Sequence, residues 1–186
     1  MKHTIQALTV LAVLTTSTAF AQDEAQMTKA DAKRTKIDTV AKESLARLFT
    51  EDPAARDLYD DAYGYAVFSN IKISFGISAG GGHGVAVFKK AGERSYMKMG
   101  TGGIGIGLGG QKYQVVFLFE NKETFDDFVM VGWQGDAAAN AVAGTQGKNA
   151  ETTFTKGLAI YQLSENGLML NADIAGTKYW LNKRLN

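Results

Sequence analysis

Gly100-Thr101-Gly102-Gly103-Ile104-Gly105-Ile106-Gly107-Leu108-Gly109-Gly110 is the stretch on which the fold turns. Gly103, Gly105, Gly107 and Gly109 alternate with Ile104, Ile106 and Leu108. A period of two is the signature of a strand, with apolar side chains on one face and none on the other. Glycine weakens a strand interior, so a whole face of it calls for a physical reason. The reason available is close approach: a second sheet, a helix or a ligand lies on that backbone. Most of the chain's 21 glycines fall between residues 64 and 110, among them Gly76, Gly80, Gly81, Gly82 and Gly84. The segment reads as the middle of a tightly curved antiparallel sheet.

Working outward, residues 1–21 read as a secretory signal peptide. Lys2 supplies the positive end, residues 7–14 the apolar core, and Ala19-Phe20-Ala21 the small-x-small cleavage site. The apolar run falls short of the ~20 residues that a spanning helix needs. The chain has no cysteine, hence no lipobox, disulfide or thiolate metal site. The expected place is the periplasm or outside the cell, free of the membrane after cleavage. Lys2 leaves with the signal, so the 20 basic and 19 acidic residues of the full chain become equal in number. No global basic field remains to hold nucleic acid. Residues 22–186 then form one domain.

Residues 22–27 read as a flexible start, and Thr28 with Asp31 as a capping box. From there Ile37, Val40, Ala41, Leu45, Leu48 and Phe49 keep helical spacing, giving an amphipathic helix over about 28–49. Lys29, Lys33, Arg34 and Lys36 crowd its beginning, where cations oppose the helix dipole. They are candidate lipid-binding residues, set against the plainer reading of a solvated helix face. Asp52-Pro53 restarts a short helix to about Tyr63, with Gly64 as its C-terminal cap.

The sheet begins at Tyr65. Ile71, Ile73, Phe75 and Ile77 alternate with Lys72, Ser74, Gly76 and Ser78; Gly80-Gly81-Gly82 reads as a break; a strand follows at Val85–Phe88. Lys89–Arg94 reads as a hairpin turn, and Tyr113–Phe119 as a strand covered on both faces. Asn121 caps a helix through about Val131. Residues 135–150 read as a small-residue strand or loop. Phe154–Leu163 and Gly167–Ile174 read as a closing hairpin, and Tyr179-Trp180-Leu181 ends the ordered chain. The expected class is α+β: N-terminal helices packed on a glycine-rich, mostly antiparallel, strongly curved or barrel-like sheet of seven to nine strands.

Little in the sequence suggests catalysis. G-x-G-x-x-G occurs at Gly100/Gly102/Gly105 and at Gly105/Gly107/Gly110, but a strand follows rather than the helix N-terminus that would hold a pyrophosphate. His83 is the one histidine beyond the signal, and its flanking Gly82 and Gly84 suit a turn. With no cysteine, a metal site there would need carboxylates throughout. Asp60-Asp61 and Asp126-Asp127 are sequence neighbours that point apart on a helix. Neither catalytic residue, metal nor cofactor is expected.

Three blocks together resemble the SYLF-domain family, the lipid-binding domain of the actin-patch type. They are Tyr65-Ala66-Val67-Phe68 followed by Gly76–Val87; Gly103–Phe119, especially Gly107 to Tyr113; and Gly157–Gly176 with Tyr161, Gly167-Leu168 and the Gly176-Thr177 close. The resemblance covers roughly 42–182. It implies a single α+β domain, a lipid or membrane-surface ligand and no established catalysis. The helix before the sheet corresponds by position to the helix that aids lipid binding in eukaryotic members. A periplasmic chain meets no actin, so actin is not an expected partner. The leading expectation is a non-enzymatic periplasmic domain that binds anionic lipid or a membrane surface. The alternative is a structural or partner-binding cell-envelope protein, using either a groove over Gly103, Gly105, Gly107 and Gly109 or an exposed edge strand.

Overall fold

A computed structural model describes residues 6–135, 153–165, 167–169 and 176–186, with side-chain surroundings from Met27 onward and not at 104–107 or Met169. The expectations for 136–150 and 170–174 lie outside the described residues. The chain divides into two compact units, residues 1–36 and 37–186.

Helix α1 runs Gln6–Glu51, so residues 22–27 are helical and Thr28 is not a helix start. The reason is composition: no glycine or proline precedes Pro53, and nothing in that stretch breaks a helix. Lys29–Lys36 therefore sit in a helix interior, and the dipole argument attached to them falls away. Asp52-Pro53 ends α1, because the residue before proline is driven out of helical geometry. Helix α2 spans Ala54–Asp61, and its first amide donates to Asp52 Oδ1 at 3.1 Å. It ends before Gly64, which opens the sheet rather than capping the helix.

Two long strands dominate the second unit. Strand β1 covers Gly64–Phe88 and β2 covers Glu93–Phe119, paired antiparallel from Gly64↔Phe119 to Phe88↔Glu93. The break expected at Gly80-Gly81-Gly82 does not occur: both strands run on unbroken, and His83 lies in β1 opposite Lys98 rather than in a turn. The turn between them is where expected, with Gly92 at φ 70° and its amide donating to Phe88 O at 2.8 Å.

The long ribbon folds back on itself, and this is where glycine is needed. Gly80, Gly82 and Gly84 share one face of β1 and lie against its own earlier residues. A Cβ on Gly80 would stand 2.7 Å from Ile71 O and 3.0 Å from Lys72 Cα; one on Gly82 would overlap Ser69 O and stand 3.0 Å from Asn70 Cα. One on Gly84 would collide with Val67 O and the Phe68 ring. Every second residue must lack a side chain for the two halves to meet.

The remaining elements close around β2. Asn121 caps α3 (Lys122–Asp126) by accepting from Thr124 N at 3.0 Å, and the helix continues as a π-turn, Asp127–Val131. Strand β3 is Trp133–Gln134, β4 Leu158–Ser164, β5 Gly167–Met169 and β6 Thr177–Leu181. The six-stranded sheet has the order β3-β6-β2-β4-β5, with β1 paired to β2, and every ladder is antiparallel. Ile37, Ala41, Ser44, Leu45 and Leu48 are buried along one stripe of α1. Polar contacts tie that helix to the sheet: Tyr96 Oη donates to Asp38 Oδ2 at 3.0 Å, and Arg47 Nη2 to Ser164 O at 2.7 Å. The core is strongly aromatic, with Phe68, Phe117, Phe119, Phe125, Phe128 and Tyr179 in edge-on and tilted contacts. The class is α+β, with helices followed by a strongly curved antiparallel sheet.

Candidate functional site

Between the two halves that meet, the β1–β2 ribbon leaves the core. Its middle is residues 71–79 paired with 102–112. Ile71, Ile73 and Phe75 alternate onto one face, and Leu108 joins them as the cross-strand partner of Phe75. The opposite face carries Lys72, Ser74, Gly109 and Gln111. Such an apolar row reads as a core face, yet it is uncovered: Ile71 is 50% exposed, Ile73 63%, Phe75 78%, Ile77 73% and Leu108 79%. Single exposed apolar residues are ordinary, but a contiguous group marks a contact surface.

Backbone geometry shapes this outlying ribbon. The register slips between Phe75 and Ile77, a bulge that strengthens local twist. Gly76 at φ 73° sits in the slip, and Gly109 at φ 143° lies across from Ser74. A two-stranded ribbon alone is barely stable in water. Here both ends are clamped, by Gly64–Asn70 paired with Tyr113–Phe119 and by Gly81–Phe88 paired with Glu93–Gly100. The charges are one-sided: residues 71–79 and 102–112 contain Lys72 and Lys112 and no Asp or Glu. Lys112 stands opposite Ile71, at the root of the apolar face.

The residues singled out from sequence have varied surroundings. Lys29, Lys33 and Lys36 are exposed on α1, while Arg34 is half-buried and its Nη1 meets Asp31 Oδ1 at 2.6 Å. A Cβ at Gly103 would meet Ser78 Oγ at 3.7 Å, an ordinary contact, and one at Gly109 nothing within 4 Å. The surroundings of Gly105 and Gly107 lie outside the description. Asp60 pairs with Arg56 at 3.3 Å and Asp126 with Lys122, both on helix surfaces. Among the described residues no group of three or more His, Cys, Asp or Glu side chains could hold a metal ion, and no helix is long and apolar enough to cross a membrane. Ile71, Ile73, Phe75, Ile77 and Leu108 were visible in the sequence as an apolar alternation; what it did not carry was whether anything covers them.

Residues 100–186 match the Ysc84 family, described as Las17-binding protein actin regulator. Over those residues, a little under half of the chain, it is similar to this SYLF-type family. The family match takes in β2 from Gly100 onward and β4 to β6. A relative from Aeromonas veronii, named Beta cell expansion factor A, is 46% identical over 152 residues. That match covers 82% of this chain and 58% of the relative, so the chain spans rather more than half the relative's length. It is too long to leave out the ribbon.

Proposed function

We propose that the chain is a non-enzymatic, lipid- or membrane-surface-binding domain of the cell envelope. The observation that carries this reading is the uncovered apolar face of Ile71, Ile73, Phe75 and Leu108, with Lys112 at its root and no carboxylate along the ribbon. Burying such a side chain fully stabilises by about 1.5–3 kcal/mol, a gain these four leave available to a binding surface. A surface that takes them out of water explains the arrangement. Lipid binding is also what the SYLF resemblance implies. The exposed Lys29, Lys33 and Lys36 supply a second cationic group, each worth about 1 kcal/mol beside a negative membrane surface. The signal-like residues 1–21 support a secreted or periplasmic location, and actin is not among the proposed partners there.

The test is sedimentation with vesicles. The protein should pellet with phosphatidylglycerol-containing vesicles at low salt, and pellet less as salt rises, because screening weakens the lysine contribution. Failure to pellet with anionic vesicles at low salt overturns the reading. Isolation of a stable complex with one envelope protein, and no vesicle binding, would favour the structural or partner-binding alternative.

A further inference from the structure

We propose that the ribbon of residues 71–79 and 102–112 lies flat in the headgroup–acyl boundary of an anionic phospholipid leaflet, with Ile71, Ile73, Phe75 and Leu108 among the acyl chains and the half-buried Ser74 and the exposed Gln111 turned away from them. This rests on the lipid-binding reading above and assigns the residues and the orientation.

Three observations decide the occupant and the pose. The first is size. Among the described residues the exposed apolar side chains of the ribbon are Ile71, Ile73, Phe75, Ile77 and Leu108, against the roughly 20–30 residues a side of a stable protein interface. That is too small for a second copy of the chain, but a bilayer sets no such minimum. The second is charge. Lys72 and Lys112 are the ionisable residues of 71–79 and 102–112, so the ribbon's own charge is positive, and Lys112 on the apolar face suits phosphate-bearing headgroups. The third is the backbone. Among the described residues no third strand pairs with 71–79 or 103–112, which leaves the ribbon two open edges, and open sheet edges are not tolerated inside hydrocarbon, where nothing satisfies their N–H and C=O groups. Standing upright, Ile71 to Phe75 would carry those edges about 13 Å down, at ~3.3 Å per residue, through most of a leaflet about 15 Å thick. Lying flat keeps the edges among hydrated headgroups while the side chains reach about 5–10 Å into the boundary. The alternation of the strand then does the sorting: odd-numbered positions from Ile71 to Phe75 enter lipid, and Lys72 and Ser74 do not.

The absence of cysteine makes the test clean. Single variants Ile73→Cys, Ser74→Cys and Phe75→Cys, in the full chain, are labelled with an environment-sensitive fluorophore and mixed with phosphatidylglycerol–phosphatidylcholine vesicles. Melting curves confirm that each is folded, and Leu108→Cys serves as a second reporter of the same face. Labels at 73, 75 and 108 should shift to the blue on binding and be quenched to a similar degree by a spin label near the boundary. The label at 74 should show no shift on binding. Vesicle pelleting with no shift at 73, 75 or 108, or with equal shifts at 74 and 75, overturns the pose and leaves lipid binding standing. A quenching gradient deepening from 73 to 75 overturns the flat orientation. No pelleting at all overturns both this inference and the reading beneath it.

Discussion

Gly82→Ala is the sharpest probe of the folded-back ribbon. The new Cβ would overlap Ser69 O and crowd the Ser69 carbonyl carbon at 2.9 Å and Asn70 Cα at 3.0 Å. All three neighbours are main-chain atoms, so no rotamer change relieves them. The two halves of β1 must separate, and the buried Val67, Phe68, Val85 and Ala86 on either side lose close packing. Overpacking costs typically about 1–3 kcal/mol, and a clash with fixed backbone belongs at the upper end. For a chain of this size, each kcal/mol lowers the melting temperature by roughly 2–4 °C, so a fall of about 5–12 °C is expected by calorimetry. The matched control is Gly110→Ala, whose Cβ would meet nothing within 4 Å. It should leave the melting temperature unchanged or raise it slightly, since alanine restricts the unfolded chain. If Gly82→Ala melts together with Gly110→Ala, the two halves of β1 do not touch and the folded-back ribbon is wrong.

Removing the Asn121 cap with Asn121→Ala should cost about 1 kcal/mol, seen as a melting point lower by a few degrees. Burial raises the ionisation of Tyr161 and Tyr179 above the ordinary tyrosine range. In the unfolded chain these phenols ionise near pH 10, so above that pH the unfolded state holds fewer protons and stability falls as pH rises. The slope should approach about 1.4 kcal/mol per pH unit for each phenol still protonated, with no contribution below about pH 9; a melting temperature unchanged from pH 9 to 11 would contradict it. Changing Lys29, Lys33, Arg34 and Lys36 to Gln should barely alter melting, since these residues lie on the helix surface and an exposed pair such as Arg34–Asp31 contributes little. Anionic-vesicle binding should weaken at least tenfold, and equal binding would remove the helix cations from the mechanism.

Much of the architecture was legible because local chemistry agreed with it. Asp52-Pro53, Asn121, Gly92 and the Ser164–Gly167 turn each stand where a cap or turn residue was read. Where the reading missed, a long-range contact outweighed local punctuation. Gly80-Gly81-Gly82 looks like a chain break, yet it continues β1, because glycine there admits a neighbouring backbone rather than a turn. Helix α1 begins before Thr28 for the opposite reason: a polar stretch without glycine or proline has no obligation to end a helix. The candidate site was half legible. Period two identifies an apolar face at Ile71–Phe75, but coverage depends on where the ribbon leaves the sheet, and that is set by the meeting of Gly80, Gly82 and Gly84 with residues 67–72.

The central claim is that the uncovered ribbon face binds lipid. Its most direct test compares vesicle partitioning of the unmodified chain with the double variant Phe75→Ser and Leu108→Ser. Both side chains are nearly four-fifths exposed, so the folded chain should melt as before. Each apolar side chain moved from water to lipid contributes about 1.5–3 kcal/mol when fully buried. Even half that transfer for the pair corresponds to at least a tenfold loss, at 1.4 kcal/mol per factor of ten. The expected result is unmodified protein in the vesicle pellet and the folded double variant largely in the supernatant. Equal partitioning of the two would contradict the account.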